Sequence, residues 1–509
     1  MKLFSLRLTT LKSKLYAIVF ASFVVRVVAF FALPNSASNL APDEGTYAGL
    51  AEVVAKGVPV DETQFGEGLY LISRAFTVPA SLLVKVGFSG LDAVRLIASL
   101  YGLLTFLLIA YILLKIIDSQ QEPESFISKN QKSVLFLFAV FGLLPSHLIW
   151  SVLGLREAAM EFWVLVVFSL IFYVFGAKKS PSKLAFLGIL IAIPLVFSSR
   201  PQVGWVVGVT LLTYSLIKVK VRASQILIPI TLIGIVSGYV ATTAFSIERT
   251  QVFEAHVEVI SSSPSAIATS TSSPTKKVTP KPSKSEQATS SPTATSSPTA
   301  TSQAEFNASV DCKTEGQELI VEGVKYLCEK KVEKKSIVGL KNPGVVLIDQ
   351  AESIPQRHEG NKVGAASAIK TLACPITDES RFQMYFCIAY RAPYTTYTFL
   401  VRPLLGADVT SSSSLFAAIE NTFWLGAFLF VILMLIRNRR LAFFGALVPS
   451  LLFFTIYSVA AGAYEGNMGT AFRHKSLIRW VVILLLASTI AATQQRKAEQ
   501  KGISGSSQE

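Results

Sequence analysis

A helical protein that crosses a membrane many times is the fold class this sequence predicts, and three observations predict it. Of 509 residues, 51% are hydrophobic and only 16% charged, with a mean hydropathy of +0.50. Apolar runs of about 18 residues or more recur along the chain, the length a helix needs to cross a bilayer. Lys and Arg, which give a net charge of +14, fall mostly in the short connections between those runs. That placement is what the positive-inside rule requires of a membrane protein, and it sets aside a nucleic-acid-binding role for the basic charge.

The elements follow in order. Lys2, Arg7, Lys12 and Lys14 precede the first span, residues 15–34, and hold the N-terminus inside. No small-residue cleavage site follows, so this span reads as uncleaved. Asp43 and Glu44 then lie outside, in Pro42-Asp43-Glu44-Gly45-Thr46-Tyr47. Residues 65–90 are apolar but interrupted by Arg74, Pro79, Lys85 and Gly87, which suits an interfacial helix rather than a span.

Further spans are expected at 93–117, 133–151, from Arg156-Glu157 to Gly176, up to Phe197, from Pro201 to Lys218, and at 225–245. After one large loop, three more are expected at 413–436, 441–462 and 476–493. Ten spans with both termini inside place every strongly basic short connection on one face. The chain therefore divides into a membrane part (1–245), a linker (246–304), a cysteine-containing module (305–411), a second membrane part (412–495) and a tail (496–509).

In the large loop, residues 261–303 are rich in Ser, Thr and Pro and cannot bury a core. The mixed sequence after it holds all four cysteines, Cys312, Cys328, Cys374 and Cys387. Cysteines confined to one soluble loop indicate an oxidising compartment, hence the outer face of a cell membrane. Local pairs Cys312–Cys328 and Cys374–Cys387 are favoured among three connectivities; the absence of a CxxC spacing weighs against zinc. A small disulfide-containing α+β module is the expected fold here.

Four groups of ionisable residues face outward on this topology: Asp43-Glu44, Arg156-Glu157, Arg200, and Glu465 with Arg473-His474-Lys475. Each has a plainer explanation: a helix cap, a bridging ion pair, a snorkelling arginine and headgroup attraction. Ionisable groups near membrane depth are costly, however, and point first to function. Asp43 or Glu44 suits a general base for an acceptor hydroxyl. The cations, with Arg402 in the large loop, suit a phosphate. A sugar leaving a lipid-linked phosphate needs both. No nucleotide-binding loop is present.

This layout resembles the membrane glycosyltransferases of the C fold, the polyprenyl-phosphate-sugar-dependent protein mannosyltransferase type. The likeness rests on span 15–34, the motif Pro42-Asp43-Glu44-Gly45-Thr46-Tyr47 and the amphipathic 65–90. It implies a polyprenyl-phosphate sugar donor, a glycan, lipid or protein acceptor, Asp43 as base and Glu44 as helper or metal ligand. Some members use a divalent cation and others do not, and Arg156-Glu157 stands where the family often has a second acidic motif, so the metal stays open. A lipid-linked polysaccharide polymerase or ligase, and a transporter or flippase, are the alternatives. The transporter predicts charges within spans and broken helices, for which only Arg26 and Glu161 speak.

Overall fold

The computed structural model describes residues 11–36, 41, 43–60, 63, 65–118, 123–176, 182–218, 221–243, 249–257, 318–321, 324–334, 381–409, 411–437 and 444–489. The Ser/Thr/Pro-rich stretch, the tail, Cys312 and Cys374, and with them both cysteine pairings, lie outside these residues. The chain forms two compact units, one of residues 1–246 with 338–509 and one of 247–337.

The larger unit is helical. Its first part comprises α1 (Leu11–Ala32), α2 (Asp43–Ala55), α3 (Gly66–Leu71), α4 (Arg74–Lys85), α5 (Gly90–Asp118), α6 (Pro123–Leu143), α7 (Pro145–Val152) and α8 (Glu157–Gly176). There follow α9 (Lys183–Phe197), α10 (Pro201–Ile217) and α11 (Arg222–Thr243), then α12 (Arg381–Val401), α13 (Ser412–Arg437), α14 (Phe444–Tyr464) and α15 (Met468–His474). The last described helix, α16, runs over Ser476–Thr489.

Among the described residues five helices are long and apolar enough to cross a membrane: α1, α5, α8, α11 and α13. The α6–α7 pair makes a sixth if taken as one bent span, with a 40° bend between its arms. Pro145 explains the break: it occupies the first turn of α7, and its missing N–H cannot extend α6. Four further apolar helices are shorter: α9, α10, the Val448–Tyr464 part of α14, and α16. This is a helical membrane protein.

α16 shows why a short helix suffices. Every residue from Ser476 to Thr489 is buried, so α16 is the axis around which longer helices pack. Trp480 on α16 meets Phe168 of α8 and Phe453 of α14, with ring centroids 5.7 and 6.3 Å away. A second apolar cluster of Tyr47, Ala48, Phe76, Val94, Leu155 and Ala158 packs α2 and α4 against α5 and α8. α1 leaves Phe20, Phe23 and Phe31 exposed, as a lipid-facing helix does.

Two sequence expectations are corrected. Residues 120–132, which separate the expected spans 93–117 and 133–151 and so read as an inner loop, are not simply a loop, since α6 begins at Pro123. The stretch 65–90, expected to be interfacial and not a span, forms two short helices; α4 buries Phe76, Ala80 and Ser81 on one side, and neither helix has the length to cross. The boundary of the cysteine-containing module also moves. Residues 381–409 go with the helices of the larger unit, and α12, which carries Cys387, packs against α14 through Phe399 and Tyr457, 6.3 Å between ring centroids. The polar residues and Pro393 in α12 hid a helix whose mean hydropathy is low for the membrane.

The smaller unit holds a three-stranded antiparallel sheet in the order β1–β3–β2: β1 (Arg249–Val257), β2 (Glu318–Val321) and β3 (Val324–Lys334). β2 and β3 form a hairpin closed at Val321 and Val324. Cys328 of β3 stands opposite Ala255 of β1 in the register.

Candidate functional site

Helix ends from four parts of the chain converge. Glu157 opens α8 and Arg200 is the N-cap residue of α10. Glu465 directly follows α14, its N–H bonded to the Ala461 carbonyl at 2.8 Å. Arg473 and His474 close the short α15, whose start is capped by Asn467 accepting from the Gly469 N–H at 2.9 Å. Asp43 opens α2. Chain ends of helices carry the polar residues because the spans between them must be apolar.

Glu157 is the hub. Its Oε1 lies 3.6 Å from Arg473 Nε, 3.8 Å from His474 Nε2 and 4.0 Å from Arg200 Nη1. Arg473 reaches outward to Asp43, with Nη1 3.8 Å from Oδ2. His474 is held from both sides, its Nδ1 by Glu465 and its Nε2 by Arg200. Burial acts to raise the Glu465 carboxyl, but His474, Arg200 and Arg473 outweigh it and hold it below the usual range. Burial likewise opposes the Arg200 charge, and Glu465 and Glu157 outweigh it.

Exposure grades the cluster. Asp43 is 58% exposed while Glu157 is 7% exposed. One carboxylate is thus open to a reactant and the others are committed to the cations. Aromatic rings form the flanks. The Arg473 guanidinium lies 5.8 Å from the Trp150 ring and Arg156 lies 5.8 Å from the Tyr47 ring. Burial pushes the Tyr47 hydroxyl up to about 12, so it stays protonated.

Other sequence candidates stand elsewhere. Glu44 has no exposure: Arg95 Nε and Nη2 donate to its two oxygens at 2.8 and 3.0 Å, and the Gly154 N–H donates at 2.8 Å. Its adjacency to Asp43 in sequence suggested a shared task, but successive residues on a helix point about 100° apart, and Glu44 is a clamp between α2, α5 and the turn before α8. Lys475 turns away from its neighbours Arg473 and His474. It donates to the Leu400 carbonyl (3.3 Å), to the Arg402 carbonyl and to Asn421 Oδ1 (2.8 Å), tying down the end of α12. Arg402 pairs with Asp408 in the loop that follows. Arg156 borders the cluster and donates to the Ile72 carbonyl at 3.2 Å.

A second polar group, of which the sequence had marked only Arg26 and Glu161, lies inside the bundle at the α6–α7 break. His147 Nδ1 is 3.6 Å from Glu161 Oε2, one helical turn beyond Glu157 on α8. Arg479 Nη1 donates to Glu420 Oε1 at 2.6 Å and also to Ser146. Arg26 donates to Ser151 Oγ at 3.0 Å. Ionisable residues inside apolar spans were the signal: Glu161 and Arg26 stood out by it, and Glu420, seven residues into the span 413–436, could have been found the same way, whereas His147 and Arg479 lay within four residues of span ends.

Among the described residues no three His, Cys, Asp or Glu side chains are grouped to hold a metal ion. Asp43, Glu157 and Glu465 of the cluster face guanidinium or imidazole partners instead, so these described residues do not fit the divalent cation that the family resemblance left open. Comparison with protein-family models, curated proteins and solved structures returned no match.

Proposed function

We propose that this chain is a membrane glycosyltransferase that takes a sugar from a polyprenyl-phosphate donor on the outer face of the cell membrane and passes it to a hydroxyl of a glycan, lipid or protein. The observation that carries this proposal is the 3.8 Å approach of Asp43 to Arg473, two residues from opposite ends of the chain. An accessible carboxylate beside guanidinium groups is the pairing that the reaction needs.

The chemistry divides between them. Asp43 accepts the proton of the attacking hydroxyl, whose oxygen forms the new bond to the sugar carbon. The bond from that carbon to the phosphate oxygen breaks, and the departing phosphate gains charge. Arg473, backed by Arg200 and His474, stabilises that charge. Glu157 holds the cations in place and keeps their charge partly balanced before the donor arrives. Trp150, beside Arg473, offers a flat apolar face for a sugar ring or lipid chain.

The topology belongs to the same proposal. Counting the α6–α7 pair and the four shorter helices as crossings gives ten spans, with both termini inside. The pairings Cys374–Cys387 and Cys312–Cys328 belong to the same proposal, because an oxidising outer side is where such bonds persist.

The test is transfer of labelled sugar from polyprenyl-phosphate donors by membranes containing Asp43→Asn. Activity should fall about 100-fold or more, the usual contribution of a general base, while the protein still accumulates. Normal transfer in that variant sinks the role of Asp43.

A second proposal, substrate translocation, is favoured by the buried His147–Glu161 pair at the bend of a broken span, where carriers place their sites. Proteoliposomes distinguish the two: a translocator moves intact lipid-linked sugar without an acceptor, and His147→Phe stops it.

A further inference from the structure

Arg479 of α16 is only 4% exposed and is not fully partnered. Nη1 serves Glu420 and Ser146, but Nε and Nη2 have no acceptor. The Phe472 and Trp424 rings flank the guanidinium at 4.7 and 6.0 Å and supply no oxygen lone pair. Buried donors without acceptors are costly, and such a pair marks a place for a missing oxygen-bearing group.

The surroundings indicate what carries that group. Arg479 and Lys475 line a pocket with Trp424, Phe428, Phe454 and Val482. Its wall is apolar apart from the two cations and Asn421. Lys475 spends its donors on two carbonyls and an amide oxygen. Arg479 pairs with Glu420, and Lys475 lies within the electrostatic reach of Asp408 and Glu420, so what stays unmet in the pocket is the two guanidinium donors of Arg479. α13, which supplies Trp424 and Phe428, bares Leu429, Phe430 and Leu433 to its surroundings, the face a helix turns to lipid. Arg479 stands one turn inside the start of α16.

We propose that this groove binds one anionic phospholipid of the surrounding bilayer. Its phosphate accepts from Arg479 Nε and Nη2, and one acyl chain lies along Trp424, Phe428 and Val482. Glu420 and Ser146 fix the guanidinium for this contact. The site is separate from the Asp43–Arg473 cluster and does not depend on the glycosyltransferase proposal.

Trp424 provides the probe. The full chain is reconstituted in nanodiscs with brominated-chain phosphatidylglycerol or brominated-chain phosphatidylcholine, diluted in unlabelled lipid, and tryptophan quenching is titrated. Phosphatidylglycerol should quench a Trp424 component at about fivefold lower mole fraction, the size expected for one basic side chain meeting an anionic lipid. Trp424→Phe should remove that component, and Arg479→Gln should abolish the headgroup preference. Equal quenching by the two lipids in the unaltered protein overturns the proposal. So does a preference that vanishes on adding millimolar inorganic phosphate, because the groove would then hold a free anion and not a lipid.

Discussion

Asp43 and Glu44 share a peptide bond and have opposite fates. Asp43 meets Arg473 and the surroundings; Glu44 is sealed under Arg95 and the Gly154 N–H. Removing one partner of a buried, hydrogen-bonded ion pair leaves the other charge stranded. Glu44→Ala should therefore cost about 3–5 kcal/mol, seen as a lower melting temperature in detergent, whereas Asp43→Asn should melt within about 0.5 kcal/mol of the parent as surface changes do. If the two variants are equally destabilised, the division between clamp and reactive group is wrong. The sequence showed two acids at the mouth of a helix. It did not show which would be covered, because the covering residues, Arg95 and Gly154, come from other elements.

At the scale of elements, α12 is the instructive case. Its contact with α14 depends on Gly462, where a Cβ would come within 2.8 Å of the Thr395 backbone. Small residues let helices approach closely in membranes. Gly462→Ala should separate them and cost about 1–3 kcal/mol, measured as a lower melting temperature. The loop after α12 adds a pH dependence. A hydrogen bond from Arg402 is the main cause that holds the Asp408 carboxyl below the usual carboxylate range, against a smaller effect of burial and with help from the Leu404 N–H. A depressed carboxylate contributes stability above its unfolded pKa and loses it as pH falls through the folded value. The protein should thus lose stability below about pH 4, the ordinary Asp range, and Asp408→Asn should flatten that part of the profile. An unchanged profile in the variant would remove Asp408 from the account.

Across the whole molecule, the site exists because helix ends from both halves of the chain reach one end of the bundle. Asp43 and Asn467 should then react from the same side when each is replaced by cysteine and exposed to a membrane-impermeant maleimide. With basic connections inside, that side is the outer one, and a cysteine at Lys183 should be silent until the membrane is opened. Labelling of positions 43 and 467 from opposite sides would break the site apart.

Composition and hydropathy alone determined that this is a helical membrane protein, because lipid accepts few backbone arrangements and the apolar runs it demands are long enough to see. Positions of most helices followed for the same reason, and so did the gathering of charge at their ends. Tertiary structure decided the rest. It selected Arg473 and His474 and turned Lys475 away, and it hid Glu44. It drew α12 out of a presumed soluble loop and placed His147 and Glu161 inside the bundle. Each of these outcomes depends on which distant side chain occupies the opposite wall, and that is information no local stretch of the chain contains.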